Sequence, residues 1–233
     1  MLKVSNLTKT FYGQKQPVLK DVSFEVQNGE IYGLIGKNGA GKSTIIKCIT
    51  GILPFEQGVI TINKKNIKTD DADAKALIGY VPDNHSVYEN LTGREYVNFM
   101  ADIYGVDQEQ RDYNIEKYSK MLNLENSLDI QIKGYSHGMK QKICIMGALV
   151  HQPKLWILDE PFLGLDYLSI QKIKECINYY ARNKKHMVIF SSHNVETIIE
   201  LCDKVCIVNE GVIESVFEVD GHHVRKKIEQ ALL

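Results

Sequence analysis

The sequence has almost no charge imbalance and no long apolar run. Lys and Arg number 28 against 29 Asp and Glu, a formal net charge of −1 over 233 residues. This balance excludes a general electrostatic attraction to nucleic acid or to anionic lipid. No stretch approaches the roughly 18 apolar residues that a membrane-spanning helix needs, and the first residues lack the apolar core of a signal peptide. We therefore expect any role at a membrane to depend on a partner protein.

Cysteine and proline are also sparse. The 5 cysteines are odd in number, and no two of them form a CxxC pair. Neither a disulfide framework nor a tetrahedral metal site is indicated, so we expect small buried thiols in a reducing compartment. No Pro-rich linker, low-complexity segment or internal repeat divides the chain. The sequence thus suits one folded domain that carries a subdomain.

Short apolar runs alternate with helical patterns, which is typical of an α/β fold. Residues 155–158 and 187–190 are continuously apolar, as are strands of a sheet that is covered on both faces. Residues 31–35 lead through a Gly-rich turn into a predicted helix over 43–50. The other predicted strands are 3–5, 22–26, 59–62, 78–81, 205–208 and 212–219.

The middle of the chain is helical instead. Thr92 and Glu95 form a capping-box pair, and apolar residues at helical spacing follow it as far as Leu122. A third helix is predicted over 139–150. We predict a single domain over 1–220, with an α-helical subdomain inserted at about 88–151. The charged tail, 221–233, is predicted to be a loosely held helix.

A phosphate-binding loop follows one predicted strand. Residues 36–43, GKNGAGKS, fit the P-loop pattern G-x-x-x-x-G-K-S. Its glycines can adopt positive φ and let backbone N–H groups close around phosphate oxygens, while the next helix adds the positive end of its dipole. Lys42 reaches the β- and γ-phosphates, and Ser43 offers a hydroxyl to Mg²⁺. The predicted nucleotide-binding residues are Gly36, Lys37, Asn38, Gly39, Ala40, Gly41, Lys42, Ser43 and Thr44.

Two adjacent acids end the apolar strand 155–158. Asp159 and Glu160 repel each other and resist burial, so such a pair seldom serves stability alone. The alternative is a solvent-exposed loop start, but the P-loop upstream favours a catalytic role. Asp159 can hold Mg²⁺ directly or through water. Glu160 can polarise a water in line with the γ-phosphate.

With further motifs, the chain resembles an ATP-binding cassette (ABC) ATPase, the motor subunit of ABC transporters. The resemblance covers nearly the whole chain, and the motifs occur in the family's order. They are Tyr12 before Gly13, the P-loop, 79–83 (GYVPD), 135–139 (YSHGM), 163–166 (LGLD) and 191–193 (SSH). The resemblance implies a P-loop NTPase core with a mixed sheet, an N-terminal antiparallel β subdomain and an inserted α-helical subdomain.

The resemblance also assigns roles to single residues. It implies that Tyr12 stacks on adenine and that His193 contacts the γ-phosphate. Two cassettes would pair head to tail, and Ser136 and Gly138 of the signature segment (135–139) would close on the γ-phosphate bound by the other chain. We accordingly predict Lys42, Glu160 and His193 as catalytic, Mg²⁺ ligands at Ser43, Asp83 and Asp159, and further nucleotide contacts at Tyr12, Asp83, Ser136, Gly138, Asp159 and Asp166.

Several positions depart from the family pattern. Asp83 replaces a Gln and adds a negative charge to the site, although a carboxylate can still meet Mg²⁺ or water. His137 and Met139 replace Gly and Gln in the signature segment, and Lys37 replaces a common Pro. Ser136 itself can cap the helix that follows. The histidines outside these motifs, expected at the surface, are His85, His151, His186 and the pair His222 and His223.

The resemblance implies an ATP-hydrolysing subunit that uses ATP and Mg²⁺ and pairs with a second cassette, most simply a second copy of itself. It would be held at the cytoplasmic face of the cell membrane by a separate integral membrane subunit, in a bacterial exporter of drugs, antibiotics or antimicrobial peptides. Candidate contacts with that subunit are Val87, Tyr88 and the helix faces around Tyr96 and Met100.

Two alternatives have less support in the sequence. A soluble ABC-type ATPase acting on ribosomes or nucleic acid would carry two cassettes, a long coiled coil or a basic stripe, and the sequence has none of these. We therefore expect no nucleic-acid partner. A GTPase would carry the guanine-reading Asn-Lys-x-Asp, whereas residues 63–66 read NKKN.

Overall fold

The computed structural model describes residues 1–84, 87–219 and 222–232. The strands in these ranges are β1 Leu2–Lys9, β2 Leu19–Val26, β3 Ile31–Ile35, β4 Gln57–Ile62, β5 Lys65–Asn66, β6 Ile78–Val81, β7 Leu155–Leu158, β8 Met187–Ser192, β9 Lys204–Asn209 and β10 Val212–Glu218. The α-helices are α1 Lys42–Ile49, α2 Asp71–Lys75, α3 Gly93–Ile103, α4 Gln108–Leu122, α5 His137–Leu149, α6 Tyr167–Arg182, α7 Val195–Leu201 and α8 His222–Leu232.

These strands form two sheets. The first is antiparallel, with strand order β2-β1-β4-β5. The second has the order β10-β9-β3-β8-β7-β6, in which β9 to β6 are parallel and β10 is antiparallel at one edge. The α/β fold class, with a mixed sheet and an antiparallel subdomain, is confirmed.

The centre of the mixed sheet positions the candidate site. All side chains of β3, β7 and β8 are buried, which explains the continuously apolar runs 155–158 and 187–190. The parallel register pairs Leu158 with Phe190 and Ile35 with Ser192. The segments that follow these three strands therefore meet at one edge of the sheet, where ligands bind in open α/β folds.

The helical segment between β6 and β7 has its own start signals. Thr92 caps α3 in a full capping box, because its side chain accepts from the Glu95 amide and the Glu95 carboxylate accepts from the Thr92 amide. Tyr118 of α4 and Ile143 of α5 are buried in the same apolar cluster as Val97 of α3. The third helix begins at His137, two residues earlier than predicted, because Ser136 acts as its N-cap.

Some predicted bounds are wrong for physical reasons. β1 extends from Leu2 to Lys9, well past the predicted 3–5. The prediction stopped early because a bulge near Asn6, which has a positive φ of 51°, interrupts the alternation of buried side chains. The short β5 and α2 carry too few residues for any periodic signal. The C-terminal helix is not loosely held. Val224 and Ile228 of α8 are buried in the core.

Two of the remaining histidines are not at the surface as predicted. The His186 side chain is buried, and the His151 ring stacks on Tyr104 with ring centroids 3.5 Å apart. His151 also donates from Nε2 to the Ile78 carbonyl at 3.1 Å. Its burial lowers the pKa to about 4. His85 and the side chains of the pair His222 and His223 lie outside the described residues.

Candidate active site

A pocket of about 470 Å³ opens where the central strands end. It is formed by the P-loop after β3, the loop after β6, Glu160 after β7 and the turn after β8, while the buried Asp159 is not among its described lining residues. Most predicted residues of these four segments meet here. Those that line the pocket are Asn38, Gly39, Gly41, Lys42, Ser43, Thr44, Asp83, Glu160 and His193, together with Leu163.

The P-loop needs glycine near both of its ends, at Gly36 and Gly41, where no other residue fits without strain. A Cβ on Gly36 would lie 2.2 Å from the Val208 carbonyl oxygen, and Gly41 has a φ of 113°. Lys42, which is 6% exposed, donates from Nζ to the carbonyl oxygens of Gly36 at 2.7 Å and Lys37 at 3.2 Å. Burial lowers the pKa of Lys42, and the nearby charges of Glu160 and Asp159 oppose that shift. The loop therefore encloses a cation at the base of the pocket.

Asp159 offers one unused carboxylate oxygen. The side chain is buried, and its Oδ1 accepts a hydrogen bond from Ser191 Oγ at 2.6 Å. Its buried Oδ2 has no hydrogen-bond partner in the part of the chain that the structure describes. A buried carboxylate oxygen without a hydrogen-bond partner destabilises the folded state unless a cation or a hydrogen-bond donor contacts it. This oxygen therefore fits a metal ion that arrives with a ligand.

The donor set around it suits Mg²⁺. Asp159, the Ser43 hydroxyl and Asp83 are hard oxygen donors, and the last two line the pocket. Among the described residues no group of three or more His, Cys, Asp and Glu could hold a metal by itself. Mg²⁺ in nucleotide sites is held by one or two carboxylates and by the phosphates, so these residues fit a nucleotide-borne Mg²⁺.

Glu160 and His193 form a pair on the pocket wall. His193 Nδ1 lies 3.1 Å from Glu160 Oε2, with the imidazole 58% exposed and the glutamate side chain 17% exposed. Glu160 has a φ of 46°, in the left-handed region, and its amide donates to Ser191 Oγ at 2.8 Å. A carboxylate in this position can orient a water and accept its proton, and the imidazole can contact an anion beside it.

Tyr12 lies on the loop between β1 and β2, and its ring is fully exposed to solvent. It is not among the described residues that line the pocket. The same loop ends at Leu19, whose side chain would lie 2.9 Å from a Cβ on Gly41. The end of the loop is therefore next to the P-loop, and the Tyr12 ring itself stays in solvent. Adenine stacking stays a prediction.

The signature segment lies outside the pocket of its own chain. Neither Ser136 nor Gly138 occurs among the described lining residues. Ser136 Oγ accepts from the Met139 amide at 3.3 Å, and a Cβ on Gly138 would lie 2.8 Å from Ser169 Oγ. The N-terminus of α5 therefore packs closely against α6.

Asp166 has a structural role in the single chain. It caps α6, because Oδ1 accepts from the Ser169 amide at 2.9 Å and Oδ2 accepts from Ser169 Oγ at 2.7 Å. These hydrogen bonds hold the pKa of Asp166 below its usual value. A nucleotide contact by Asp166 stays a prediction, and the capping role accounts for its present position.

His137, one of the departures, links the signature segment to the following loop. Its Nε2 lies 3.2 Å from the Leu163 carbonyl oxygen, which can only accept, so the ring nitrogen donates. Gln141 donates in parallel to the Pro161 carbonyl at 3.1 Å. The first turns of α5 are therefore tied to the loop that also brings Leu163 to the pocket.

Sequence reasoning missed two site residues. Leu163 lines the pocket, and nothing in its apolar side chain indicated this. Ser191 contacts both acids, and here a signal existed: a serine continues an otherwise apolar run, 187–190, into the buried interior. A polar side chain in such a strand needs a hydrogen-bond partner, and the neighbouring strand ends in acids.

A second, apolar hollow of about 580 Å³ lies beside α3. Tyr88 is 59% exposed and Phe99 is 39% exposed, and their rings meet edge to face at 5.3 Å. Val87 also lines the hollow, but Tyr96 is only 7% exposed and belongs to the core. Of the predicted contacts, Val87 and Tyr88 therefore line this hollow and the ring of Tyr96 does not, while Phe99, which was not predicted, lines it as well. Within the described ranges no helix is long and apolar enough to cross a membrane.

Comparison with known proteins is consistent across family, sequence and structure. The family model described as ABC transporter matches residues 19–163. The ABC transporter ATP-binding protein NatA of Bacillus subtilis (strain 168) is 32% identical over 227 residues, 94% of this chain and 92% of NatA. The linearmycin resistance ATP-binding protein LnrL of the same organism is 37% identical over 212 residues, 91% of this chain and 67% of LnrL. A solved ATP binding subunit of an ABC transporter is 33% identical with a TM-score of 0.89, covering 98% of this chain and 93% of that one.

Proposed function

The chain belongs to the ABC transporter family of ATP-binding subunits, and from this premise we propose that it hydrolyses ATP to drive a membrane transporter. One observation carries the proposal. The Glu160–His193 pair, with 3.1 Å between its nearest atoms, shares a single pocket with Lys42 and the P-loop. A phosphate-binding loop facing a carboxylate that can polarise water is the arrangement that γ-phosphate hydrolysis requires.

Within this proposal each side chain has a task. The P-loop amides and Lys42 hold the phosphates and neutralise their charge. Glu160 orients a water and accepts its proton, and His193 steadies the carboxylate and contacts the terminal phosphate. Ser43, Asp83 and Asp159 would hold Mg²⁺. When bound, the ion neutralises charge on the phosphate oxygens. Tyr12 stacks on the adenine ring.

We propose further that the active form is a head-to-tail pair of cassettes. The support is the position of Ser136 and Gly138, which lie outside the pocket of their own chain. A capped helix N-terminus is a site for anions. In a head-to-tail pair it would complete the phosphate site of the other chain, and hydrolysis would weaken the pair by removing that phosphate. In this proposal the α-helical subdomain, at about 88–151, carries the signature segment within one cassette domain.

The proposed partner is a separate integral membrane protein that docks on the hollow beside α3. The support is the exposed apolar lining, in particular Tyr88 and Phe99, on the subdomain that follows Asp83 of the pocket. Large exposed apolar groups mark interaction sites. We propose an exporter of drugs, antibiotics or antimicrobial peptides, working at the cytoplasmic face of the membrane. The name of LnrL, a linearmycin resistance protein, supports this class.

The test is co-purification from native membranes. The tagged chain is solubilised in mild detergent and its partners are identified by mass spectrometry, with a Tyr88→Ala, Phe99→Ala double variant as the matched control. We expect a stoichiometric multi-span protein with the wild type and its loss with the double variant. Ribosomal proteins or nucleic acid as the stoichiometric partner would contradict the transporter and favour a soluble ATPase.

A further inference from the structure

Ser191 contacts both acids of the pocket from the neighbouring strand. It is 0% exposed near the end of β8, beside the end of β7. Its hydroxyl donates to Asp159 Oδ1 at 2.6 Å and accepts the amide hydrogen of Glu160 at 2.8 Å. A hydroxyl has one hydrogen to give, and here that hydrogen goes to the carboxylate. Both bonds are satisfied in one orientation of the side chain.

The bond to Asp159 determines which oxygen of that carboxylate remains available. Oδ1 is occupied by Ser191, and the buried Oδ2 has no partner in the described part of the chain. A carboxylate held at one oxygen cannot rotate freely, so Oδ2 keeps one direction. Groups that orient a metal ligand in this way typically change metal affinity or activity by about 10- to 100-fold when they are removed.

The hydrogen bond between Ser191 and the Glu160 amide restrains the backbone of Glu160. Glu160 has a φ of 46°, in the left-handed region that is unfavourable for a non-glycine residue. Such a conformation persists only where the surroundings hold it in place. The hydrogen bond that the Glu160 amide donates to Ser191 Oγ is one such restraint, and it helps to hold the direction in which the Glu160 side chain faces the pocket.

We propose that Ser191 is a positioning residue that orients both acids through a single hydroxyl. It sets Asp159 Oδ2 toward Mg²⁺ and Glu160 toward the attacking water, so that metal binding and water activation are aligned together. This role rests on the proposed ATP hydrolysis. A purely structural role, in which Ser191 only satisfies buried hydrogen bonds, would affect stability without affecting metal affinity.

The experiment compares Ser191→Thr with Ser191→Val. These two side chains have nearly the same shape and differ in the hydroxyl. Ser119→Ala serves as a distant control, because Ser119 is a buried serine on α4 whose hydroxyl donates to the Glu116 carbonyl at 2.9 Å. For each protein, Mn²⁺ binding to the ATP-loaded chain is measured by electron paramagnetic resonance. The kcat and KM for ATP hydrolysis and the midpoint of thermal unfolding are measured for the same proteins.

We expect Ser191→Val to weaken Mn²⁺ binding about 10-fold or more and to lower kcat about 10- to 100-fold, with ATP affinity in the absence of metal within twofold of the wild type. Ser191→Thr should recover most of both losses, and Ser119→Ala should change neither. Equal Mn²⁺ affinity in the Thr and Val variants would overturn the proposal. A wild-type chain that binds Mn²⁺ and ATP without hydrolysis would instead contradict the proposed function and leave the metal comparison valid.

Discussion

In the proposed mechanism, turnover depends on Glu160. Its carboxylate faces the pocket at 3.1 Å from His193 Nδ1, while the proposed nucleotide contacts belong to the P-loop. We predict that Glu160→Gln lowers the rate of ATP hydrolysis by about 10²- to 10⁴-fold, because an amide cannot accept the proton of the attacking water. Nucleotide affinity should stay within a few-fold of wild type. Single-turnover hydrolysis and equilibrium nucleotide binding test the two parts, and a wild-type rate in the variant would remove Glu160 from this role.

The proposed role of Lys42 is to bind the nucleotide phosphates. Its buried ammonium already bridges two loop carbonyls and would exchange them for phosphate oxygens. Removing a charge-assisted contact of this kind costs about 1.5–3 kcal/mol, so we predict that Lys42→Ala weakens ATP binding about 10- to 100-fold. Fluorescent-nucleotide titration measures the change. Lys47→Ala is the matched control, because Lys47 is an exposed lysine on the same helix. Unchanged affinity in Lys42→Ala would contradict the P-loop interpretation.

At the scale of elements, His151 connects the helical subdomain to the sheet. It stacks on Tyr104 at the end of α3 and donates to Ile78 in β6. Burial lowers its pKa from 6.5 to about 4, so the folded chain keeps the imidazole neutral while the unfolded chain binds a proton below about pH 6.5. The unfolded state thus takes up more protons between these values, and stability is lost as the pH falls.

We predict that this residue contributes about 1–2 kcal/mol to the loss of stability between pH 7 and pH 5. The test is urea unfolding of the wild type and His151→Gln at both pH values. The variant should lose less stability on acidification, whatever its stability at pH 7. His186, whose pKa is also lowered to about 4 by burial, is present in both proteins and cancels in the difference. An identical pH dependence of the two proteins would contradict the assignment.

At the scale of the whole molecule, the proposed head-to-tail pairing implies that a second chain completes the site of the first. We predict that Glu160→Gln forms an ATP- and Mg²⁺-dependent dimer, because bound ATP then persists between the two cassettes. Adding Ser136→Glu should abolish the dimer, since a carboxylate at the N-terminus of α5 would repel the phosphates of the partner. Nucleotide affinity of the monomer should be retained.

Light scattering after size exclusion measures the mass with and without ATP. Gln108→Glu in the Glu160→Gln background is the control, because it adds the same charge at an exposed position of α4 in the helical subdomain. Dimerisation of the protein with the added Ser136→Glu change, at the ATP concentration that dimerises Glu160→Gln alone, would argue against head-to-tail pairing. A dimer that needs no nucleotide would argue against a phosphate-bridged interface.

Much of the fold could be predicted because its signals are local. The apolar runs of β7 and β8, the capping box at Thr92 and the cap at Ser136 each depend on a few consecutive residues. Where a signal needed distant partners, prediction was less accurate. Val224 and Ile228 are two apolar residues within a charged segment, which is too weak a pattern to predict a buried helix face. Only the structure shows that both side chains pack against the core. His151 reads as a surface residue until Tyr104 lies beside it.

The sequence by itself determined the chemistry of the site. The P-loop, the pair Asp159 and Glu160, and His193 are contiguous motifs whose residue types define phosphate binding and water activation. The tertiary structure alone decided how they combine. The strand order places β8 between β3 and β7, which puts Ser191 against both acids and His193 beside Glu160. The physical reason is that hydrogen bonds between strands depend on sheet order and register, which long-range pairing sets and no single segment encodes.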